Sequence, residues 1–191
     1  MNYADSIDVS SAADATSSMS ETRKVLEERF DRILAEHGPA ISRLAFSYEQ
    51  IAGVREELVQ EIALAIWQAL PHFRGECSER TFAFRIAHNR GLSHVWRRRP
   101  AQKTIDELEE SEQPIDPRPH PEAQVAHVHE RARLMTAIQT LPVTHKQMIV
   151  LMLEDLSHAE IAEVLGISEN NVAVRLNRAR TALKLALGVK P

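Results

Sequence analysis

The chain has 191 residues, of which 43% are hydrophobic, 26% charged and only 5% aromatic, so its core must consist mainly of aliphatic side chains. This length fits one domain or two small ones. The single cysteine, Cys77, excludes an internal disulfide and a multi-cysteine metal site within one chain. No apolar run approaches the ~20 residues that cross a bilayer, and the first basic residue is Arg23. We therefore expect no membrane insertion, no basic signal peptide and a cytoplasmic location.

The net charge of -4 is distributed unevenly along the chain. Residues 72–100 carry +5 and residues 168–191 carry +4, whereas residues 101–122 between them carry -5. Two basic segments on either side of an acidic connector favour two separate contacts with a polyanion.

The first half of the chain predicts a tail followed by helices. Residues 1–22 are rich in serine and alanine and poor in large apolar residues, which is typical of a disordered tail. From Glu21 onward the apolar spacing becomes helical, and Gly38 and Pro39 predict the end of that helix. We expect further helices at about 40–50, 54–70 and 79–99, the last capped by Ser78.

The second half predicts a linker and a second helical module. Residues 100–121 contain five prolines and six acids and are expected to form an extended linker. Helices are expected at about 122–140, after a T-x-x-Q capping box at Thr144, and after an S-x-x-E box at Ser157. Because no segment alternates with period two for long, the predicted fold class is all-α, with domains at 23–99 and 122–191.

The last 35 residues have the pattern of a helix-turn-helix. Ala162 allows two helices to approach, Gly166 tolerates a left-handed turn, and Val172 is a β-branched residue suited to packing the second helix on the first. The second helix also carries arginines away from its apolar stripe. DNA binding is favoured over an ordinary amphipathic hairpin, and Arg175 and Arg178 are expected to contact the duplex.

The other basic segment interleaves aromatic residues with arginines. Phe82, Phe84 and Trp96 alternate with six arginines between Arg80 and Arg99. Aromatic planes accept unstacked bases while arginines hold phosphates, which suits a single strand. The alternative is that these aromatics are core and that the arginines only end a solvated helix. The pattern alone leaves both interpretations open.

Several segments in order resemble the second and fourth conserved regions of bacterial sigma factors. The first set reads EELVQEI from Glu56, FRGE from Phe73, TFAFRIAHN from Thr81 and RRR from Arg97. The second reads AIQTLP from Ala137, LSHAEIAEVLGIS from Leu156 and VAVRLNRAR from Val172. Because no third region lies between them, the resemblance is to the extracytoplasmic-function class.

This resemblance implies a non-enzymatic specificity subunit that binds core RNA polymerase, recognises two promoter elements and helps to melt the downstream one. It also implies an anti-sigma partner and no cofactor. The implied polymerase-binding residues are Glu57, Gln60 and Glu61. Those implied for the downstream element are Phe73, Arg74, Ser78, Arg80, Asn89, Arg90, His94, Arg97 and Arg98. Those expected to meet the upstream element are Ser168, Glu169, Asn170, Asn171, Arg175 and Arg178.

The sequence departs from the family pattern at several positions, so the promoter sequence cannot be transferred. Gly91 lies inside a predicted helix at a cost of about 1 kcal/mol relative to alanine. The nine histidines show no arrangement typical of a metal site. Two rival functions remain open: an autonomous helix-turn-helix regulator, and a helical adaptor that binds a protein without any role at DNA.

Overall fold

The computed structural model describes the backbone of residues 9–98 and 126–188, and the side chains of residues 23–98 and 133–188. Within these ranges the regular elements are all helical, which confirms the all-α class. The predicted linker at 100–121 lies outside the described residues. The helices are α1 (Val9–Ala45), α2 (Ala52–Ala69), α3 (Glu79–Arg98), α4 (Ala126–Gln139), α5 (Val143–Leu153), α6 (His158–Leu165) and α7 (Glu169–Ala186).

Helix α1 is longer than the sequence predicts at both ends. It begins at Val9, within the segment expected to be a disordered tail, and it continues through Pro39, where an end was expected. Extending an existing helix is easier than nucleating one, which favours helical backbone upstream of residue 23. At Pro39 the missing donor costs about 3 kcal/mol in an isolated helix. Ile33, Ile41 and Leu44 are buried on one face across the proline, and their packing offsets this cost.

Helices α2 and α3 follow the prediction closely. Leu58, Ile62 and Ile66 form the buried stripe of α2, and a 3₁₀ turn at Leu70–His72 contains the expected helix-ending proline. The Oγ of Ser78 accepts a hydrogen bond from the backbone N–H of Thr81 at 3.0 Å, which confirms the predicted cap of α3.

The two predicted capping boxes have different outcomes. At α6 the box is present: Ser157 Oγ accepts from the Glu160 N–H, and the Glu160 carboxylate accepts from the Ser157 N–H at 2.8 Å. The Thr144 box is wrong, because α5 begins two residues earlier than a Thr144 cap requires and Pro142 occupies its N-cap position. The Pro142 carbonyl accepts the N–H groups of His145 and Lys146, both at 2.9 Å. This register places Thr144 inside the first turn rather than before it.

The helices form two groups that touch. Helices α1, α2 and α3 pack on one another, and α4 to α7 form the second group. Contacts of α3 with α6 and of α1 with α5 join the groups, so buried apolar residues of both belong to one continuous core. The expected two modules are therefore in direct contact in this structure.

Candidate nucleic-acid interface

The residues predicted to bind polymerase form an exposed face on α2. Glu57, Gln60 and Glu61 are all exposed, opposite the buried stripe of this helix. The Oε2 of Glu61 accepts a hydrogen bond from the Nη2 of Arg97 at 2.7 Å. Because Arg97 belongs to the last turn of α3, the acidic face of α2 lies directly beside the basic end of α3.

The loop between α2 and α3 combines one packed aromatic with exposed polar residues. The Phe73 ring is half-buried and stacks on Phe82 with 4.3 Å between ring centroids, and the Arg29 guanidinium lies 4.9 Å from its centroid. Arg74 and Ser78 are exposed. Phe73 therefore helps to hold the loop on the body of the protein.

Along α3, the predicted DNA-contacting residues divide between surface and interior. Asn89, Arg90 and Arg97 are exposed. His94 is only 8% exposed, and its Nε2 lies 3.0 Å from Glu49 Oε2. The prediction that His94 contacts DNA conflicts with this placement, because His94 follows Ala87 and Gly91 on the inward face of the helix.

Glu49, which the sequence analysis does not single out, contacts two of the predicted DNA-binding residues, His94 and Arg98. Its carboxylate is buried, accepts the backbone N–H of Ile51 at 2.8 Å, pairs with His94, and accepts a hydrogen bond from Arg98. Burial alone would raise the pKa of Glu49, but the hydrogen bonds and the charge of Arg98 lower it overall. The side-chain partners, His94 and Arg98, lie on α3, 45 or more residues later in the sequence, so no local motif identifies Glu49.

A buried Tyr48–His88 pair explains the glycine in α3. The Tyr48 hydroxyl lies 2.8 Å from His88 Nδ1, and burial lowers the pKa of His88 to about 4, so this imidazole is neutral at pH 7. A Cβ placed at Gly91 would lie 2.4 Å from the Tyr48 ring. The glycine is therefore required by close approach of the ring.

The helix-turn-helix has the predicted geometry. Gly166 ends α6 with φ of 66°, in the left-handed region, and Ser168 caps α7 by accepting the Asn171 N–H at 3.3 Å. Val172, Leu176 and Ala179 are buried. The first turn of α7 is exposed at Ser168, Glu169, Asn170 and Asn171; Arg178 is also exposed, and Arg175 is half-buried.

Arg80 differs from the other predicted DNA residues because it lies near the second helical group. It is half-buried, and its charge contributes to lowering the pKa of Glu160 on α6, after the larger effect of the Ser157 hydrogen bonds. In this arrangement the positive charge of Arg80 is therefore attracted to the α6 carboxylate.

Among the described residues, no group of three or more histidine, cysteine or acidic side chains could hold a metal ion, and no helix is both long and apolar enough to span a membrane. Cys77 is half-buried, and burial raises the pKa of its thiol, which lowers its reactivity.

Comparison with known proteins agrees with this geometry. Residues 33–100 match the family described as Sigma-70 region 2, and residues 131–183 match Sigma-70, region 4. The sigma factor CnrH of Cupriavidus metallidurans is 30% identical over 84% of this chain and 87% of its own length. The sigma-E factor of Escherichia coli K12 is 29% identical, with coverage of 82% and 85%.

Solved structures have the same architecture. CnrH in complex with the cytosolic domain of CnrY covers 86% of this chain and 91% of that chain, with a TM-score of 0.60 and 25% identity. RpoE from Bartonella quintana, in complex with the anti-sigma factor NepR, covers 86% and 99%, with a TM-score of 0.64 and 20% identity; this match concerns the fold alone.

The chain belongs to the sigma-70 family of RNA polymerase sigma factors, in its extracytoplasmic-function class. It directs core RNA polymerase to specific promoters for transcription initiation. Members of this family are in general not enzymes. Nothing in the comparisons supports the autonomous regulator that the sequence left open.

Proposed function

We propose that the two helical groups have separate roles. Residues 23–99 bind core polymerase through α2 and recognise and melt the downstream promoter element through α3. Residues 122–191 read the upstream element through α7, and residues 100–121 connect the two domains.

The observation that carries this proposal is the contact between Glu61 on α2 and Arg97 on α3, at 2.7 Å. An acidic, exposed helix face suits a protein partner with basic residues, and a basic face suits DNA. Because the two faces adjoin, a polymerase held on α2 would meet DNA that lies along α3. Asn89, Arg90 and Arg97 are exposed for that contact, whereas His94 is buried.

For the upstream element, the support is the exposed first turn of α7. Helix-turn-helix proteins place the beginning of the second helix at base edges in the major groove. Asn170 and Asn171 offer amides suited to adenine, and Arg178 offers a guanidinium for phosphate or guanine. Ser168 holds the helix end by its cap and leaves these side chains free.

The same family likeness supports a regulatory partner and a location. Among the related structures, CnrH is bound to the cytosolic domain of CnrY and RpoE is bound to the anti-sigma factor NepR. By analogy, an anti-sigma protein controls this chain until a signal releases it. The site of action is the cytoplasm, where the polymerase works.

The test is run-off transcription with purified core polymerase, the full chain and genomic promoter fragments. We expect promoter-dependent transcripts with the wild-type chain. Glu57→Lys on the α2 face should reduce holoenzyme formation. Glu28→Lys, a matched charge reversal at an exposed position of α1, should not. If no fragment yields a transcript that requires the chain, the proposal fails.

The DNA-contacting faces are tested separately from polymerase binding. Arg90→Ala on α3 and Arg178→Ala on α7 should leave holoenzyme formation intact but weaken promoter binding. Loss of a phosphate contact should reduce the slope of log affinity against log salt concentration by about one. Loss of a base contact should cost about 1–3 kcal/mol of binding free energy. Unchanged promoter affinity and salt dependence in both variants would contradict the assigned faces.

A further inference from the structure

Trp96 is the exposed aromatic side chain of the basic helix α3. Phe82 and Phe84 are buried in the core, which removes them as stacking surfaces, whereas Trp96 is 56% exposed. The other tryptophan, Trp67, is half-buried and packs edge-on against Phe30 at 5.4 Å. Among the described residues, no aromatic ring or guanidinium packs on the Trp96 indole.

The surroundings of Trp96 are polar and cationic. Arg85, Asn89, Ser93 and Trp96 are all exposed and, at about 100° per residue, occupy an arc of about 80° on α3. The Ser93 hydroxyl donates to the Asn89 carbonyl at 2.8 Å, so it is turned back onto the helix. The indole is therefore the large side chain at the end of this stripe.

Two cations lie on the adjoining stripe of the same helix. Arg90 and Arg97 are exposed and follow about 100–120° around the helix from Trp96. Arg97 is held near the surface by Glu61, which fixes the edge of this cationic strip. A flat exposed ring beside arginines is the combination with which proteins bind single strands, because bases stack on the ring and phosphates pair with the cations.

We propose that Trp96 contacts DNA directly and that its indole stacks on an unpaired base of the melted downstream element. Arg90 and Arg97 hold the phosphates beside that base. This inference rests on the proposed role of α3, and it adds a residue whose contact stabilises the separated strands. Stacking is available only to a base that has left the duplex, so the contact favours the open state over the closed one.

The experiment uses the holoenzyme and a promoter that wild-type run-off identifies. Trp96→Leu removes the ring, Trp96→Phe retains an aromatic face, and Trp67→Phe is the matched control at the other tryptophan. Stacking of one base corresponds to roughly a 5- to 150-fold effect on affinity. We expect Trp96→Leu to reduce the open-complex equilibrium within that range, Trp96→Phe to restore much of it, and Trp67→Phe to equal wild type.

A position-specific readout shows whether the ring meets a base. 2-Aminopurine is placed at each non-template position of the downstream element in turn, and its fluorescence is measured in the open complex. Wild type and Trp96→Phe should quench one position that stays bright with Trp96→Leu. Equal fluorescence profiles, or a Trp96→Leu defect confined to holoenzyme formation, would overturn the inference. If wild type itself yields no promoter-dependent transcript, the proposed function fails instead.

Discussion

Arg43 and Glu154 form a two-pronged ion pair across the junction of the two helical groups. The Nε and Nη2 of Arg43 donate to the two carboxylate oxygens of Glu154 at 2.5 and 2.7 Å. Arg43 lies in the last turn of α1 and Glu154 is the C-cap residue of α5, so the pair joins segments 111 residues apart. The hydrogen bonds to Glu154 raise the pKa of the Arg43 guanidinium. The pair therefore reports directly on whether the groups are docked.

We expect a double-mutant cycle of Arg43→Ala and Glu154→Ala, measured by urea unfolding, to give a coupling free energy of about 0.5–1 kcal/mol. The paired geometry and the mostly buried Glu154 side chain favour the upper end of the range for surface pairs. Coupling should fall in high salt, because part of the interaction is screened.

The matched control is the exposed pair Arg23–Glu27, which lies within α1 at 2.9 Å and does not depend on docking. Its coupling should be no more than about 0.5 kcal/mol. Zero coupling between Arg43 and Glu154 would show that the groups do not dock in solution as they do in this structure.

Replacing Glu49 by glutamine should destabilise the protein by about 1–3 kcal/mol at neutral pH, because His94 and Arg98 lose a charged acceptor. The folded-state pKa of Glu49 lies below its ordinary value of 4.5, so its ionised form stabilises the fold. That contribution is complete above the unfolded pKa and disappears as pH falls through the folded pKa. Urea unfolding at several pH values should show the wild-type advantage shrinking below about pH 4.5.

The pH series is informative only as a difference between Glu49→Gln and wild type. Glu79 also has a lowered pKa in the fold: burial alone would raise it, but hydrogen bonds from Arg29 and Arg32 and their charges outweigh burial. Its contribution is common to both proteins. A Glu49→Gln difference that is constant from pH 7 to pH 3 would contradict the ionised buried network.

Local signals in the sequence predicted the local parts of this fold. The cap at Ser157, the left-handed Gly166 and the buried Val172 depend on neighbours within about one turn or the next helix, so the helix-turn-helix could be recognised. The burial of His94 depends on its contact with Glu49, which lies 45 residues earlier in the chain, so no local pattern predicts it. The helix continues through Pro39 for a similar reason, because tertiary burial of the apolar residues on either side outweighs the local penalty of the proline.

The two capping boxes at Ser157 and Thr144 can be compared directly by mutation. Ser157→Ala should cost about 1 kcal/mol in the free energy of unfolding, because the Glu160 N–H loses its acceptor and the Glu160 carboxylate loses the Ser157 hydroxyl that donates to it. At Thr144 the buried hydroxyl has no hydrogen-bond partner in the structure, so Thr144→Val removes an unsatisfied polar group at nearly constant volume. We expect Thr144→Val to leave stability unchanged or to raise it. Equal losses at both positions would mean that Thr144 does cap α5.

Two helical glycines should respond in opposite directions to alanine. Both changes gain about 0.5–1 kcal/mol from helix propensity. At Gly38 a Cβ meets nothing within 4 Å, so Gly38→Ala should stabilise the protein by about that amount. At Gly91 the Cβ would collide with the buried Tyr48 ring, and overpacking typically costs about 1–3 kcal/mol. Gly91→Ala should therefore lower the midpoint of thermal unfolding while Gly38→Ala raises it, and a rise in both would contradict the close approach of Tyr48 to α3.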